Sequence, residues 1–178
     1  FEKMLYDQAL LVRAYLHAWQ VTGLERYRSV VEDTIGYVVR DLRHPSGGFF
    51  AAQDADSEGV EGRFYVWTPD QIREVLGLDA EPAMAWWGVT DGGNFEGATI
   101  LNRLHGRPDE IEPPLIADAR RRLLEAREER PFPGLDDKVL TEWNALMVST
   151  LAEAGAATGN HLWIDVAMSA ATFLLDNL

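Results

Sequence analysis

Apolar positions recur at steps of three and four through residues 2 to 20, where Leu5, Ala9, Val12, Leu16 and Trp19 form a helical stripe. Leu10, Leu11, Ala14 and Tyr15 make the opposite side apolar too, so this helix is predicted to be buried on most sides. Thr22-Gly23 breaks it. From Glu25 to Arg43, Val31, Ile35, Val38 and Leu42 make one stripe while Arg26, Arg28, Glu32, Asp33 and Arg40 are polar, the pattern of an outward-facing amphipathic helix. The two predict an αα-hairpin around a short turn.

The pattern then changes. His44-Pro45 ends the second helix, because the residue before proline avoids helical angles. Gly47-Gly48-Phe49-Phe50 and Arg63-Phe64-Tyr65-Val66-Trp67 read as extended segments, with the acidic run from Asp54 to Gly59 as the turn of a β-hairpin between them. Thr68, Pro69 and Gln71 supply an N-cap, a first-turn proline and a capping-box partner for a helix ending near Gly77. A short helix follows from about Ala80 to Gly88, then a loop at Asp91-Gly92-Gly93-Asn94 and a short strand over 98–102. Pro113-Pro114 opens a charged helix that Pro131 stops. Residues 141–158 and 161–178 complete the chain as a helical pair, with Thr141 as the N-cap of its first member.

The first and last hairpins are related by a shift of 136 residues. Thr22-Gly23 then meets Thr158-Gly159, Ala9-Leu10 meets Ala145-Leu146, Val12 meets Val148 and Tyr27 meets Trp163; Val30, Tyr37 and Leu42 meet Val166, Phe173 and Leu178. The helices between them fit a third, irregular hairpin. Three hairpins in inner–outer alternation suggest part of a circular or solenoid array. In such an array the short Thr-Gly turns share one end. The long connections 44–68, 89–112 and 131–140 then crowd the opposite rim, where the buried helices start and expose free N–H groups. Asp54 to Glu58 and Asp137 to Asn144 are expected to converge there.

Charge narrows the partners. Sixteen basic against 29 acidic residues leave −13, with only two lysines, Lys3 and Lys138. A duplex-binding surface needs clustered cations, so neither nucleic acid nor an anionic membrane is an expected partner. No apolar run approaches the roughly 18 residues of a membrane span, and no signal peptide is visible; the cytoplasm is the expected location. Cysteine is absent, which excludes disulfides and thiolate chemistry within the chain. His17, His44, His105 and His161 are scattered away from metal-ligand spacing, and neither a metal nor a cofactor is expected.

Two constellations carry candidate chemistry. Asp54, Asp56, Glu58 and Gly59 match the opening of a calcium loop, but its twelfth position is Tyr65 in place of a bidentate Glu. A solvated turn, a loose cation site and paired carboxylates for acid/base work all remain open for this run. The second is Asp136-Asp137-Lys138 followed by Thr141-Glu142-Trp143-Asn144. Aromatic faces beside carboxylates and amides suit sugar rings and their hydroxyls. The same mixture occurs near Tyr6, Asp7 and Gln8, and near Asn94, Phe95 and Glu96.

The segments FEKMLYDQALL, GGFFAAQDADSEGVEGRFYVWTP, NFEG and DDKVLTEWNALM, in this order and over nearly the whole chain, resemble the spermatogenesis-associated, thioredoxin-like family. The resemblance implies an N-terminal thioredoxin-like domain joined to an (α/α)6 toroid similar to N-acylglucosamine 2-epimerases and six-hairpin glycosidases. Residues 1–178 would be a single fragment, roughly half of that toroid. The redox cysteines and the rest of the ring would lie outside it, and a His that the family places before Phe1 is not present. The histidine pairs that serve the epimerases have no counterpart here.

The expected architecture is therefore mainly α, a partial (α/α)6 toroid of about three helical hairpins with a small β-hairpin on the loop-rich rim. The expected function is a carbohydrate-type cleft, epimerase-like or glycosidase-like. Asp54, Asp56, Glu58, Asp137 and Lys138 are its catalytic candidates, one carboxylate acting as base and Lys138 or a second carboxylate as acid. Tyr6, Asp7, Asn94, Glu96, Trp143 and Asn144 are its substrate-binding candidates. The fragment alone is expected to be inactive and to self-associate. The alternative is a non-catalytic recognition or scaffold module serving an attached thioredoxin-like domain.

Overall fold

The computed structural model describes residues 1–106 and 110–177. In chain order its elements are β1 (Lys3–Met4), α1 (Leu5–Thr22), α2 (Glu25–Asp41), β2 (Ala52–Gln53), β3 (Asp56–Ser57), β4 (Val60–Glu61), α3 (Pro69–Leu76), α4 (Ala80–Trp86), α5 (Pro114–Glu128), β5 (Leu135–Asp136), α6 (Thr141–Thr158) and α7 (His161–Asn177). The chain is thus mainly helical, with a small antiparallel sheet and a β-hairpin. It divides into two compact units. One holds Glu2–Asp54 and the chain from Gly134 onward; the other holds Phe1 and Ala55–Pro133.

The first unit is built from the repeat. Leu5–Thr22 and Thr141–Thr158 start and stop at equivalent positions under the 136-residue shift, and so do Glu25–Asp41 and His161–Asn177. The match of Leu42 with Leu178 lies outside the described residues. Each hairpin turns on a left-handed glycine, Gly23 at φ 69° and Gly159 at φ 73°, a conformation that glycine adopts without a Cβ penalty. The preceding threonines repeat as well: Thr22 Oγ1 donates to Ala18 O at 2.6 Å and Thr158 Oγ1 to Ala154 O at 2.7 Å.

Helices α1 and α6 pack side by side, and each carries its own outer partner, α2 or α7. Their shared core contains Leu5, Ala9, Val12 and Leu16 from α1, Val31, Ile35 and Val38 from α2, Met147, Leu151 and Ala154 from α6, and Ala167 and Ala170 from α7. Burying one Leu, Ile or Met side chain contributes about 1.5–3 kcal/mol, so this cluster is the main stabilising term of the unit. The repeat is not uniform. In the first hairpin the Arg28 guanidinium sits 5.5 Å over the Trp19 ring. The equivalent pair in the second is Gly155 and Ile164, packed so closely that a Cβ on Gly155 would meet Ile164 Cγ1 at 2.7 Å.

Residues 42–54 run as a strap across the starts of α1 and α6. Phe50 N donates to Leu42 O at 2.8 Å, Leu5 N to Ala51 O at 2.8 Å, and Ala51 N to Asp136 O at 3.1 Å. Strand β2 is the centre of a three-stranded antiparallel sheet with register Lys3↔Gln53, Met4↔Ala52, Ala52↔Asp136 and Gln53↔Leu135. Gly47 and Gly48 let the strap lie against α7. Gly47 has φ 120°, and a Cβ there would stand 2.7 Å from Ser169 Oγ, while one on Gly48 would stand 2.6 Å from the Phe173 ring.

The second unit has its own core around α3, α4 and α5, including Ile72, Leu76, Ala83, Ile116, Ala119 and Leu123. Its three helices, expected to fit a third, irregular hairpin, pack mutually, each against the other two. The Thr68 capping box forms in full: Thr68 Oγ1 accepts from Gln71 N, and Gln71 Oε1 accepts from Thr68 N, with Pro69 in the first turn.

Other expectations need correction. The acidic run is itself the β-hairpin, β3 pairing with β4 as Asp56↔Glu61 and Ser57↔Val60. Glu58 at φ 54° and Gly59 at φ 74° make its two-residue turn, so residues 47–50 and 63–67 are not its strands. Residues 98–102 contribute only isolated bridges, Trp67↔Thr99 and Phe95↔Ala98. Thr141 is the first residue inside α6, not its cap. Leu140 holds the extended N-cap geometry, and no side chain caps that end.

Candidate functional site

In the two-hairpin unit, the small sheet and the starts of α1 and α6 lie at the end opposite Gly23 and Gly159. Of the predicted residues, Tyr6, Asp7, Asp54, Asp137, Lys138, Trp143 and Asn144 belong to this unit. Tyr6 and Trp143 meet there with ring centroids 4.8 Å apart at 59°, one from the first turn of each inner helix. Both rings are only partly covered, as is Asp7 one residue along α1.

The carboxylates come from the strands. Asp54 follows β2 directly, and its N–H donates to Gly134 O at 2.7 Å. A Cβ on Gly134 would stand 3.7 Å from Asp54 Oδ2, an ordinary van der Waals contact. Asp54 and the start of the 134–138 segment thus meet through the backbone. Asp136 ends β5 and Asp137 follows it directly. Lys138 Nζ lies 2.8 Å from Asp136 Oδ2, and Lys138 N donates to Asp136 Oδ1 at 3.4 Å. Those two hydrogen bonds, the side-chain one first, hold the Asp136 carboxyl below the usual carboxylate range. The chain's two lysines, Lys3 and Lys138, both stand on this sheet or immediately beyond it.

Asn144 has a different role from the one its neighbourhood suggested. It is fully buried. Its Oδ1 accepts from Phe49 N at 2.8 Å, and its Nδ2 donates to Phe49 O at 2.9 Å and Leu140 O at 3.0 Å. The amide therefore clips the strap to the start of α6 and is not presented to a ligand. Gln53 plays a related part that the sequence pattern did not flag: it is buried at the centre of the sheet and accepts from Tyr37 Oη at 3.1 Å. Its one sequence signal is a neutral amide between the small pair Ala51-Ala52 and the acidic run.

Asp56, Glu58, Asn94 and Glu96 belong to the other unit. Asp56 and Glu58 are exposed on the β3–β4 hairpin. Asn94 pins its own loop, donating to Ile100 O at 3.0 Å and accepting from Ile100 N at 2.8 Å. Glu96 sits at the tip of that loop with φ 47°, next to Gly97 at φ 80°. Among the described residues, no three His, Asp or Glu side chains gather as a metal-ligand set, and no helix is long and apolar enough to cross a membrane.

No family model matches the chain. It is similar to human Spermatogenesis-associated protein 20, with 37% identity over 98% of this chain and 27% of that protein. The mouse protein of the same name is 36% identical over 98% of this chain and 26% of its own length. An uncharacterised Caenorhabditis elegans protein is 30% identical over 98% of this chain and 28% of its own length. The similarity therefore runs through both units, while the chain spans about a quarter of the length of the curated relatives it matches.

Proposed function

We propose that the rim of the two-hairpin unit is a carbohydrate-binding cleft of epimerase-like or glycosidase-like type. The observation that carries the reading is the Tyr6–Trp143 pair at the mouth of two adjacent inner helices, with Asp7, Asp54, Asp137 and Lys138 on the elements around it. Apolar ring faces suit the C–H faces of a sugar, and carboxylates accept from its hydroxyls. In a proton transfer, Asp54 or Asp137 would act as base and Lys138 or the other carboxylate as acid. The inner pair α1/α6 with outer partners α2 and α7 is also what a segment of an (α/α)6 toroid requires. On that reading the complete protein closes the ring and carries a thioredoxin-like domain, and the isolated chain has no turnover.

A scaffold role is the second reading. It is supported by an open groove of about 550 Å3 between α2 and α7, where Ile35, Val39, Trp163 and Val166 lie beside the charged Arg40, Arg43 and Asp165. The two are separated by titrating the full-length protein with neutral and acidic mono- and disaccharides and following Trp fluorescence and calorimetric heat. The cleft reading expects saturable binding that Asp137→Ala and Trp143→Ala both abolish while the protein remains folded. Absence of saturable binding, or binding unchanged in both variants, would sink it.

A further inference from the structure

In the unit that contains α3, α4 and α5, a pocket of about 200 Å3 opens beside the β3–β4 hairpin. Its polar lining is Ser57, Glu58, Arg63, Gln71 and Arg130. Arg130 is held rigidly. Its Nη1 donates to Phe64 O at 3.0 Å and Val66 O at 2.9 Å, with Arg63 O at 3.4 Å, and its guanidinium lies 4.0 Å over the Trp67 ring. All of these hydrogen bonds use one nitrogen. Nε and Nη2, the two parallel donors of the side-on fork, make no hydrogen bond among the described residues, and Arg130 makes no ion pair there. Its pKa is held below the ordinary arginine value first by burial and then by the neighbouring Arg127 charge. That is the electrostatic position of a cation lacking a counter-ion.

Two more donors border the same pocket. Gln71 Oε1 is occupied by Thr68 N at 2.9 Å. That bond fixes which end of the amide is which and leaves the Nε2 hydrogens unused. Arg63 Nε lies 3.4 Å from Glu58 Oε2, a half-exposed contact of the kind worth little. Ser57 Oγ donates to Pro131 O at 2.6 Å and closes one wall. A donor-rich pocket of this kind is not a by-product of composition in a chain of charge −13.

We propose that this pocket binds a small carboxylate. The Nε–Nη2 edge of Arg130 grips both oxygens, Gln71 Nε2 donates to one of them, and Arg63 exchanges the Glu58 carboxylate for that of the ligand. The planar fork selects a carboxylate geometrically. Glu58, fixed on the left-handed tip of its hairpin, is a built-in competitor for the same chemistry.

The test is titration of the intact protein with acetate, with inorganic phosphate as a parallel arm and chloride at matched ionic strength as control. Binding is read from the side-chain resonances of Arg130 Nε and Gln71 Nε2. Acetate should produce a saturable shift that chloride does not. Glu58→Gln should tighten binding several-fold by removing the competitor. Gln71→Glu keeps the acceptor that the capping box needs but places a negative charge in the pocket; it should weaken acetate by at least about tenfold, or 1.4 kcal/mol. An acetate shift that chloride reproduces overturns the proposal, as does unchanged affinity in a folded Gln71→Glu protein. Phosphate binding more tightly than acetate would overturn the carboxylate assignment.

Discussion

His17 and Glu153 occupy the same position in the two hairpins, and they bond to each other: His17 Nε2 lies 2.6 Å from Glu153 Oε1. Arg13 Nε donates to the other carboxylate oxygen at 2.9 Å. The inner helices are thus joined at their symmetry-equivalent site by a polar clip outside their apolar seam. The Glu153 carboxyl is held below the usual carboxylate range, first by the His17 hydrogen bond; its own burial opposes this, and Arg13 assists it. A depressed carboxylate contributes stability above its unfolded-state pKa and loses it as pH falls through the folded value. Wild type should therefore exceed Glu153→Gln near neutral pH, by no more than about 1 kcal/mol for so exposed a pair. Urea denaturation across a pH series should show that difference vanishing in acid; a difference independent of pH would refute the linkage.

Asn144→Ala should be far more damaging than its polar character suggests. It would leave Phe49 N and O without their partner inside the fold, and an unsatisfied buried polar group costs about 1–3 kcal/mol. A loss of at least 2 kcal/mol in chemical denaturation is expected by this estimate. A loss below half of that would mean water replaces the amide.

Two helical glycines should respond to alanine with opposite signs. At Gly36 in α2 an added Cβ meets nothing within 4 Å, so Gly36→Ala should stabilise by about 0.5–1 kcal/mol through helix propensity alone. At Gly155 the Cβ would also stand 3.0 Å from the Asn160 backbone carbonyl, which cannot rotate away. Gly155→Ala should destabilise despite the same propensity gain. Melting temperatures of the two variants, measured side by side, check the pair.

Thr68→Ala removes the hydroxyl that caps α3 and should cost about 1 kcal/mol. Thr141→Ala should cost much less, because Thr141 caps nothing. Equal losses in thermal denaturation would contradict the geometry.

The contrast between those threonines shows what was legible in the sequence. Helices announce themselves through local periodicity and end signals, so the two hairpins, their 136-residue relation and the Thr68 capping box could be read directly. Strands of two residues have no period to read. The partners of β2 are β1 and β5, remote in sequence, and the pattern around Phe49–Gln53 says nothing about them. The acidic run was legible as a turn but not as a complete hairpin, because the left-handed backbone at Glu58 is set by Gly59 and the pairing of Ser57 with Val60 rather than by its own residue type. Tyr6, Asp7, Asp137, Lys138 and Trp143 were identifiable as polar and aromatic residues near helix starts, and Asp54 as part of the acidic turn. That Asn144 turns inward while Trp143 remains half-open depends on where the strap crosses α6, a non-local fact.

The bond from Asp54 N to Gly134 O gives the chain an architecture of host and insert. Because β2 and β5 pair antiparallel with Asp54 and Gly134 at their adjoining ends, the host ladder is closed without help from anything between Ala55 and Pro133. A two-residue Asn-Gly turn has the geometry to bridge such a pair. The repeat-built host is therefore expected to survive excision of the insert as a folded protein that retains the His17–Glu153 clip.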